Sequence, residues 1–297
     1  MLLSYHYPLS EVVPYINWSY FFHAWGFPAR FASIAYIHGC DSCRATWLAS
    51  FAEADRSRAA EAMQLLKEAQ RFLRVNSQGF QSHFRFMLCA CHAENDDIVL
   101  EPDGTTQGTA PMRLSLLRQQ QPPYLCLADF ISPVADKVGL FVASVDAGFE
   151  RLPDNGDDYQ HLLAQTLADR LAEATVEKAH EHVRRHDWGY AIMEHLSMPE
   201  LFAEKFQGIR PAVGYPSLPD QSLNFDLDRI LDFAAIGVSL TESGAMQPHA
   251  SVSGLMLAHP KATYFSVGPI GEDQLADYAR RRGRPADWLR PFLAGNL

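Results

Sequence analysis

The stretch Arg210-Pro211-Ala212-Val213-Gly214-Tyr215-Pro216, with Gly208 before it and Pro219 after it, carries the residue types best suited to holding a ligand. Glycine admits backbone geometry that a Cβ forbids and proline fixes the path of the chain, so a rigid, non-helical loop is expected. Its arginine offers a planar fork suited to a carboxylate or phosphate. Its glycine lets a ligand approach the main chain, and its tyrosine supplies a flat face with a hydroxyl at the edge. The same residues also make an ordinary structural turn with a surface arginine, and composition leaves both readings open.

Cysteine and histidine spacing raises a second chemistry. Cys40-Asp41-Ser42-Cys43, preceded by His38, and Cys89-Ala90-Cys91-His92 together hold enough ligands for a four-coordinate zinc. Against this, cysteines one residue apart share one face of a strand, where the thiol behaves as a small buried hydrophobe, and no metal is expected. On a helix, Glu177 with His180 and His182 with His186 also have metal-ligand spacing. A di-iron bundle needs the glutamate-histidine element twice, so a histidine-rich, exposed helix end is expected instead. Asp169 and Glu173, four residues apart, read as a solvated face.

The elements that must position these groups follow from periodicity. The 297-residue chain, 47% hydrophobic, is long enough to bury a sizeable core as one large domain or two. Ser10 is a plausible N-cap for a buried helix running to Trp25, and residues 45–75 suit one long helix or two, with Ala60, Met63, Leu66 and Phe72 inward. Strands over 83–91 and 98–100 form a hairpin through Glu94-Asn95-Asp96-Asp97, followed by a Gly/Thr/Pro loop at 102–111. The clearest strand is 137–145, buried on both faces. Residues 157–186 form the best helix, with Leu163, Leu167, Leu171 and Ala174 as its core stripe. After the loop come a helix over 227–236 ended by Gly237, strands over 250–257 and 263–267 turned at His259-Pro260, and a helix over 272–282. Hairpins without strand-helix alternation make the expected class α+β, in a single domain over 1–297.

A net charge of −10 excludes a protein whose main task is gripping nucleic acid or an anionic membrane. Five cysteines, an odd number, and no export signal or membrane span point to reduced thiols and a cytoplasmic location.

Several blocks in one order carry a family resemblance. Lys205 through Pro216, Leu240-Thr241-Glu242-Ser243, Ala250 through Gly254 and His259-Pro260 resemble the C-terminal activation domain of cobalamin-dependent methionine synthase, whose signature is an Arg-x-x-x-Gly-Tyr loop. Cys126 through Phe130, Asp157-Asp158-Tyr159, Ala168 through Ala174, His182-Val183-Arg184, Trp188-Gly189-Tyr190, Asp277 through Arg281 and Trp288 through Leu293 are similar too. The likeness is strong over 124–297 and weak over 1–123, where Tyr15-Ile16-Asn17-Trp18 and Phe21-Phe22 carry it.

The resemblance implies a C-shaped fold in which a bent antiparallel sheet is flanked by helices, and a site for S-adenosylmethionine. In that site Arg210 meets the carboxylate, Glu173 and Glu204 meet the ammonium and sulfonium side, and Ala212 and Gly214 give main-chain contacts. Tyr264 and Phe265 line the nucleotide pocket, Tyr215 lies against the corrin, and Asn17 stands where the family has a contacting aspartate. It further implies that cobalamin is presented by a separate cobalamin-binding module of methionine synthase, since the family's Asp-x-His-x-x-Gly cobalt motif does not occur here, and that a flavodoxin-like reductant supplies an electron. The implied role is reactivation of that partner by methyl transfer. Gln221 replaces a family histidine, and Leu223-Asn224 occupies the place of a basic residue. These departures keep open a degenerate relative that docks on or regulates a corrinoid protein without catalysis, and a metal-binding protein remains a third reading.

Overall fold

The computed structural model of the chain describes residues 2–101, 112–153 and 156–297, so the loop expected at 102–111 lies outside the described residues. Two compact units emerge: one comprises His6–Ser82 and Val145–Lys178, the other Met1–Tyr5, His83–Ser144 and Ala179–Leu297. The first is helical and the second is built on a sheet.

In the helical unit, the apolar run after Pro8 is not one helix. It divides into α1 (Leu9–Val12), a 3-10 turn at Val13–Tyr15, and α2 (Trp18–Ala24). Pro14 brings no N–H to an α-helical ladder, and the Asn17 side chain accepts from the Ser19 N–H at 3.1 Å, which starts a new helix. Ser10 therefore lies inside α1 rather than at its cap. The 45–75 region forms two helices, α3 (Asp41–Ala49) and α4 (Glu53–Asn76). The inward stripe of α4 is Ala59, Ala62, Leu66, Ala69 and Leu73, so Ala60 and Met63 fall at its edge. Next comes α5 (Asp158–His182), which buries Leu163, Leu167, Leu171 and Ala174 as their spacing predicts. Phe149 packs edge-on against Phe72 and Phe80, at 5.9 and 5.6 Å between ring centroids.

The sheet contains β1 (Leu2–Pro8), β2 (Gln81–Glu94), β3 (Asp97–Leu100), β4 (Met112–Ser115), β5 (Asp136–Val145) and β8 (Ser251–Met256), in the order β4-β3-β2-β5-β8 with β1 also on β2. A separate two-stranded ribbon joins β6 (Ser239–Leu240) to β7 (Met246–Gln247). The expected hairpin is present, with Glu94 opposite Asp97 and Cys91 opposite Leu100. On β5, Val138, Leu140 and Val142 enter a core with Ile98, Leu114 and Leu255. Its other face puts Phe141 against Phe84 at 6.1 Å, so both faces are buried. Four short helices complete this unit: α6 (Met198–Phe202), α7 (Leu223–Leu231), α8 (Glu272–Arg282) and α9 (Ala286–Leu289). The fold class is α+β, with an antiparallel sheet flanked by helices.

The expected strand at 263–267 is not one. Its Val267 N–H donates to the Pro216 carbonyl at 2.8 Å and its Phe265 N–H to Ser217 Oγ at 3.0 Å, so the segment braces a loop instead of a ladder. The 227–236 helix starts earlier, at Leu223, and gives way at Asp232 to a 3-10 turn before Gly237, whose φ of +74 favours glycine. No described helix is long and apolar enough to cross a membrane.

Leu140 is fully buried at the centre of β5. Replacing it with alanine is expected to cost about 2–5 kcal/mol, read as a lower urea midpoint at unchanged m-value.

Candidate functional site

The site is built from one loop laid on one strand. Residues 209–213 run antiparallel to β8: Ile209 and Leu257 exchange both N–H···O bonds at 2.9 Å, Leu255 donates to Pro211 at 3.0 Å, and Val213 donates to Ser253 at 2.9 Å. The loop thereby covers the otherwise unpaired edge of the sheet. Close approach is possible because Gly254 faces Pro211, where a Cβ would meet the Pro211 carbonyl and stand 2.9 Å from the Ala212 Cα. Gly208, at φ +90, makes a similar approach to the Leu257 carbonyl. Ala212 alternates between the bonded residues, so its own N–H and C=O are directed away from β8.

Gly214 then turns the chain at φ +85, and its N–H donates to the Leu218 carbonyl at 2.9 Å. Tyr215 stands 49% exposed at the tip. Beyond it the chain is pinned at Asp220, a buried carboxylate that accepts from the Ser222 N–H and Oγ–H, both at 2.8 Å, and from Tyr278 Oη–H at 2.6 Å. Burial, then the adjacent Asp220, pushes the Tyr278 hydroxyl far above its ordinary pKa. Of the family departures in this corner, Asn224 has structural work: it is buried, donates to the Gly244 carbonyl at 2.8 Å and accepts from Ser253 Oγ. The Gln221 main-chain carbonyl packs against Gly244, a contact that does not depend on the side chain at 221.

Arg210 is held from three sides. Its N–H donates to Tyr264 Oη at 3.0 Å, its Nη1 lies 3.3 Å from His180 Nδ1, and its guanidinium stands 5.7 Å from the Phe206 ring centre. Arg184 shares that ring at 4.0 Å and forks onto Glu194, with Nη2 at 2.5 Å and Nε at 3.1 Å. His180 is fully buried, edge-on to Phe206 at 5.2 Å. Burial first, then the two arginine charges, holds its pKa well below 6.5. The imidazole is neutral, so Nδ1 accepts from Arg210 and Nε2 carries the proton. Nε2 and Arg184 Nη1 are buried donors with no acceptor among the described residues.

Arg210, Ala212, Gly214, Tyr215, Tyr264 and Phe265 thus meet around one loop, with Phe265 partly buried against the core. Glu204 is exposed just past α6, in a left-handed conformation at φ 54. Asn17 and Glu173 belong to the other unit, where Asn17 caps α2 and Glu173 is half-buried on α5 rather than fully solvated. The exposed histidine end expected for α5 is corrected in part: His180 and Glu177 are buried, while His182 is partly exposed and His186 exposed. His180, Arg184, Phe206 and Glu194 were missed as a group. The signal lay in the spacing of Glu177, His180 and Arg184, which follows the same helical face.

Among the cysteines, Cys91 sits in the core, where burial raises its thiol to about 12. Cys40 behaves oppositely: hydrogen bonds from Cys43 and then His38 lower its thiol to about 7.

Residues 8–283 match the family described as the vitamin B12 dependent methionine synthase activation domain, so the match runs through the N-terminal part as well. Among solved structures, the chain is similar to the MetH reactivation domain bound to AdoHcy. The two are 33% identical, with a TM-score of 0.84, over 100% of this chain and 90% of that one.

Two outcomes test this geometry. Gly254→Ala drives a methyl group into the Pro211 carbonyl and is expected to cost about 1–3 kcal/mol by urea unfolding, with faster amide exchange at Leu255 and Val213. His180 binds its proton more weakly in the folded chain than in the unfolded one. Stability therefore falls as pH drops below 6.5, by at most about 1.4 kcal/mol per pH unit, and levels off above it. His180→Gln is expected to flatten that acid limb when urea midpoints are compared across pH.

Proposed function

The chain belongs to the vitamin B12-dependent methionine synthase activation domains, and on that premise we propose that it binds S-adenosylmethionine and supports reductive methylation of cobalamin on a methionine synthase partner. The observation that carries this reading is Arg210, fixed through its main chain by Tyr264 and through its side chain by neutral His180, in a cluster where two buried donors, His180 Nε2 and Arg184 Nη1, lack an acceptor among the described residues. Such a place calls for an anion. An amino-acid carboxylate meets the need.

When bound, S-adenosylmethionine supplies a methyl group already activated by its sulfonium. The protein's contribution is then positioning more than acid-base help. Neutral His180 accepts one hydrogen bond from Arg210, and the planar fork of a guanidinium suits a carboxylate. Were His180 charged, it would repel Arg210 and offer no acceptor, so its burial keeps the arm in place. Ala212 contributes main-chain groups directed away from β8, and Gly214 sets the turn that presents Tyr215. Tyr264 and Phe265 give aromatic surface to the adenine. Glu204, exposed beyond α6, faces the ammonium and sulfonium side in this reading. Tyr215, half exposed at the loop tip, is the group that lies against a corrin brought by the partner module.

The cobalamin itself is assigned to the partner's binding module, and the electron to a flavodoxin-like reductant. Reaction in the cytoplasm fits this assignment.

Isothermal titration with S-adenosylmethionine tests the proposal. Saturable binding is expected, weakened about 10–100-fold in Arg210→Ala, as for loss of a charged hydrogen bond of about 1.5–3 kcal/mol. No heat from the wild-type chain, together with an unchanged melting temperature, would sink it and favour a non-catalytic docking or regulatory subunit for a corrinoid protein.

A further inference from the structure

We propose that His38, Cys40 and Cys43 bind one zinc ion on the helical unit, through three protein ligands with the fourth position left to solvent. The sequence spacing H-x-C-x-x-C is realised in space: one ligand atom from each of the three residues lies within 4.8 Å of the others. Tetrahedral zinc, with bonds of about 2.3 Å to sulfur and about 2.0 Å to nitrogen, sets its ligand atoms about 3.5–3.8 Å apart. The widest separation therefore needs to close by about 1 Å, within the reach of side-chain rotation.

The local fold explains why the ligands converge. Cys40 is the N-cap of α3, and its Sγ accepts the Cys43 N–H at 3.2 Å, which turns both cysteines to one side of the helix start. His38 arrives from the preceding loop, with only Gly39 between it and Cys40. Behind this corner, α3 is anchored by Trp47, whose Nε1 donates to Ser33 Oγ at 2.9 Å and whose ring packs on Phe51 at 4.7 Å. The platform is firm while the ligands stay reachable: His38 is exposed and both cysteines are half-buried.

The donor set chooses the metal. One imidazole and two thiolates are soft to borderline ligands that suit zinc, and they do not suit magnesium or calcium, which take oxygen. Asp41 stands beside the cluster but is turned outward, 3.5 Å from Arg44. The fourth position is therefore water or an incoming ligand, as in zinc sites with three protein ligands. The ion would join the loop ahead of α3 to that helix's first turn. This site is independent of S-adenosylmethionine binding, which belongs to the sheet unit.

Titration of the whole, reduced protein with cobalt(II) tests the assignment. The expected result is saturation at one cobalt per chain, with thiolate-to-cobalt charge-transfer absorption and the intense visible bands of a tetrahedral site, all displaced by zinc. Cys40→Ser and Cys43→Ser should each remove most of the charge-transfer intensity, and His38→Ala should weaken binding roughly tenfold or more. Cys89→Ala should leave the spectrum unchanged. Unaltered far-ultraviolet circular dichroism and S-adenosylmethionine titration would show that the variants fold. The proposal is overturned if no such bands appear while thiol titration finds both cysteines reduced, or if the bands survive loss of both. It is equally overturned if mass spectrometry finds the pair closed as a Cys40–Cys43 disulfide in the reduced, metal-treated protein.

Discussion

The pairing of residues 209–213 with the edge of β8 is the constraint from which the rest of the site follows. A sheet edge exposes unmet donors and acceptors, and here they are met by a segment whose prolines leave few conformations open to it. The pairing needs two backbones to approach more closely than side chains permit, so it rests on Gly254 and Gly208. Once the loop is seated, the main-chain positions of Arg210, Ala212 and Tyr215 are set by its hydrogen bonds. Asp220, with its three donors, then secures the downstream end to α8. Rigidity of this sort suits a site whose contribution is geometric, because ordering costs are met on folding instead of at binding.

Electrostatics adds a second layer to the same arrangement. Arg184 and Arg210 stand over one phenylalanine ring, and Arg184 is steadied there by a carboxylate fork from Glu194. Beside them a histidine that stays neutral serves Arg210 as acceptor where a charged one would repel. Burying the imidazole costs solvation, and that cost is what keeps it unprotonated. The same residue type on an exposed turn would titrate near neutrality and loosen its hold on Arg210.

Much of this was legible in the amino-acid order, and the gaps have physical causes. The Arg210 loop announced itself through glycine and proline, whose backbone limits are intrinsic. The α5 stripe and the β5 strand were legible because burial on one helical face, or on both faces of a strand, leaves a plain pattern. What failed were features decided by partners distant in sequence. Residues 263–267 have strand-like composition, yet their donors are claimed by Pro216 and Ser217, some fifty positions away. Ser10 looked like a cap because a proline can be tolerated in a helix's first turn, whereas here Pro8 takes the cap position and Pro14 falls in the 3-10 turn that ends α1. His180 looked exposed because histidine near a helix end usually is, and the ring that buries it, Phe206, comes from another element. Asn17 kept a capping role that its neighbours alone suffice to explain.

The Tyr264 hydroxyl, which accepts the Arg210 main-chain N–H, ties the 263–267 segment to the Arg210 loop by a single oxygen. Under the proposed function, selectivity for the two ends of the ligand is therefore not separable. A change at position 264 that removes the phenolic oxygen also takes the acceptor from the Arg210 amide. Drift in this pocket is confined to residues that keep a phenolic oxygen there, or to paired changes. Under the same proposal, a variant meant to accept a new methyl-donor analogue is better begun at Phe265, whose side chain packs against the core and makes no bond to Arg210 among those described.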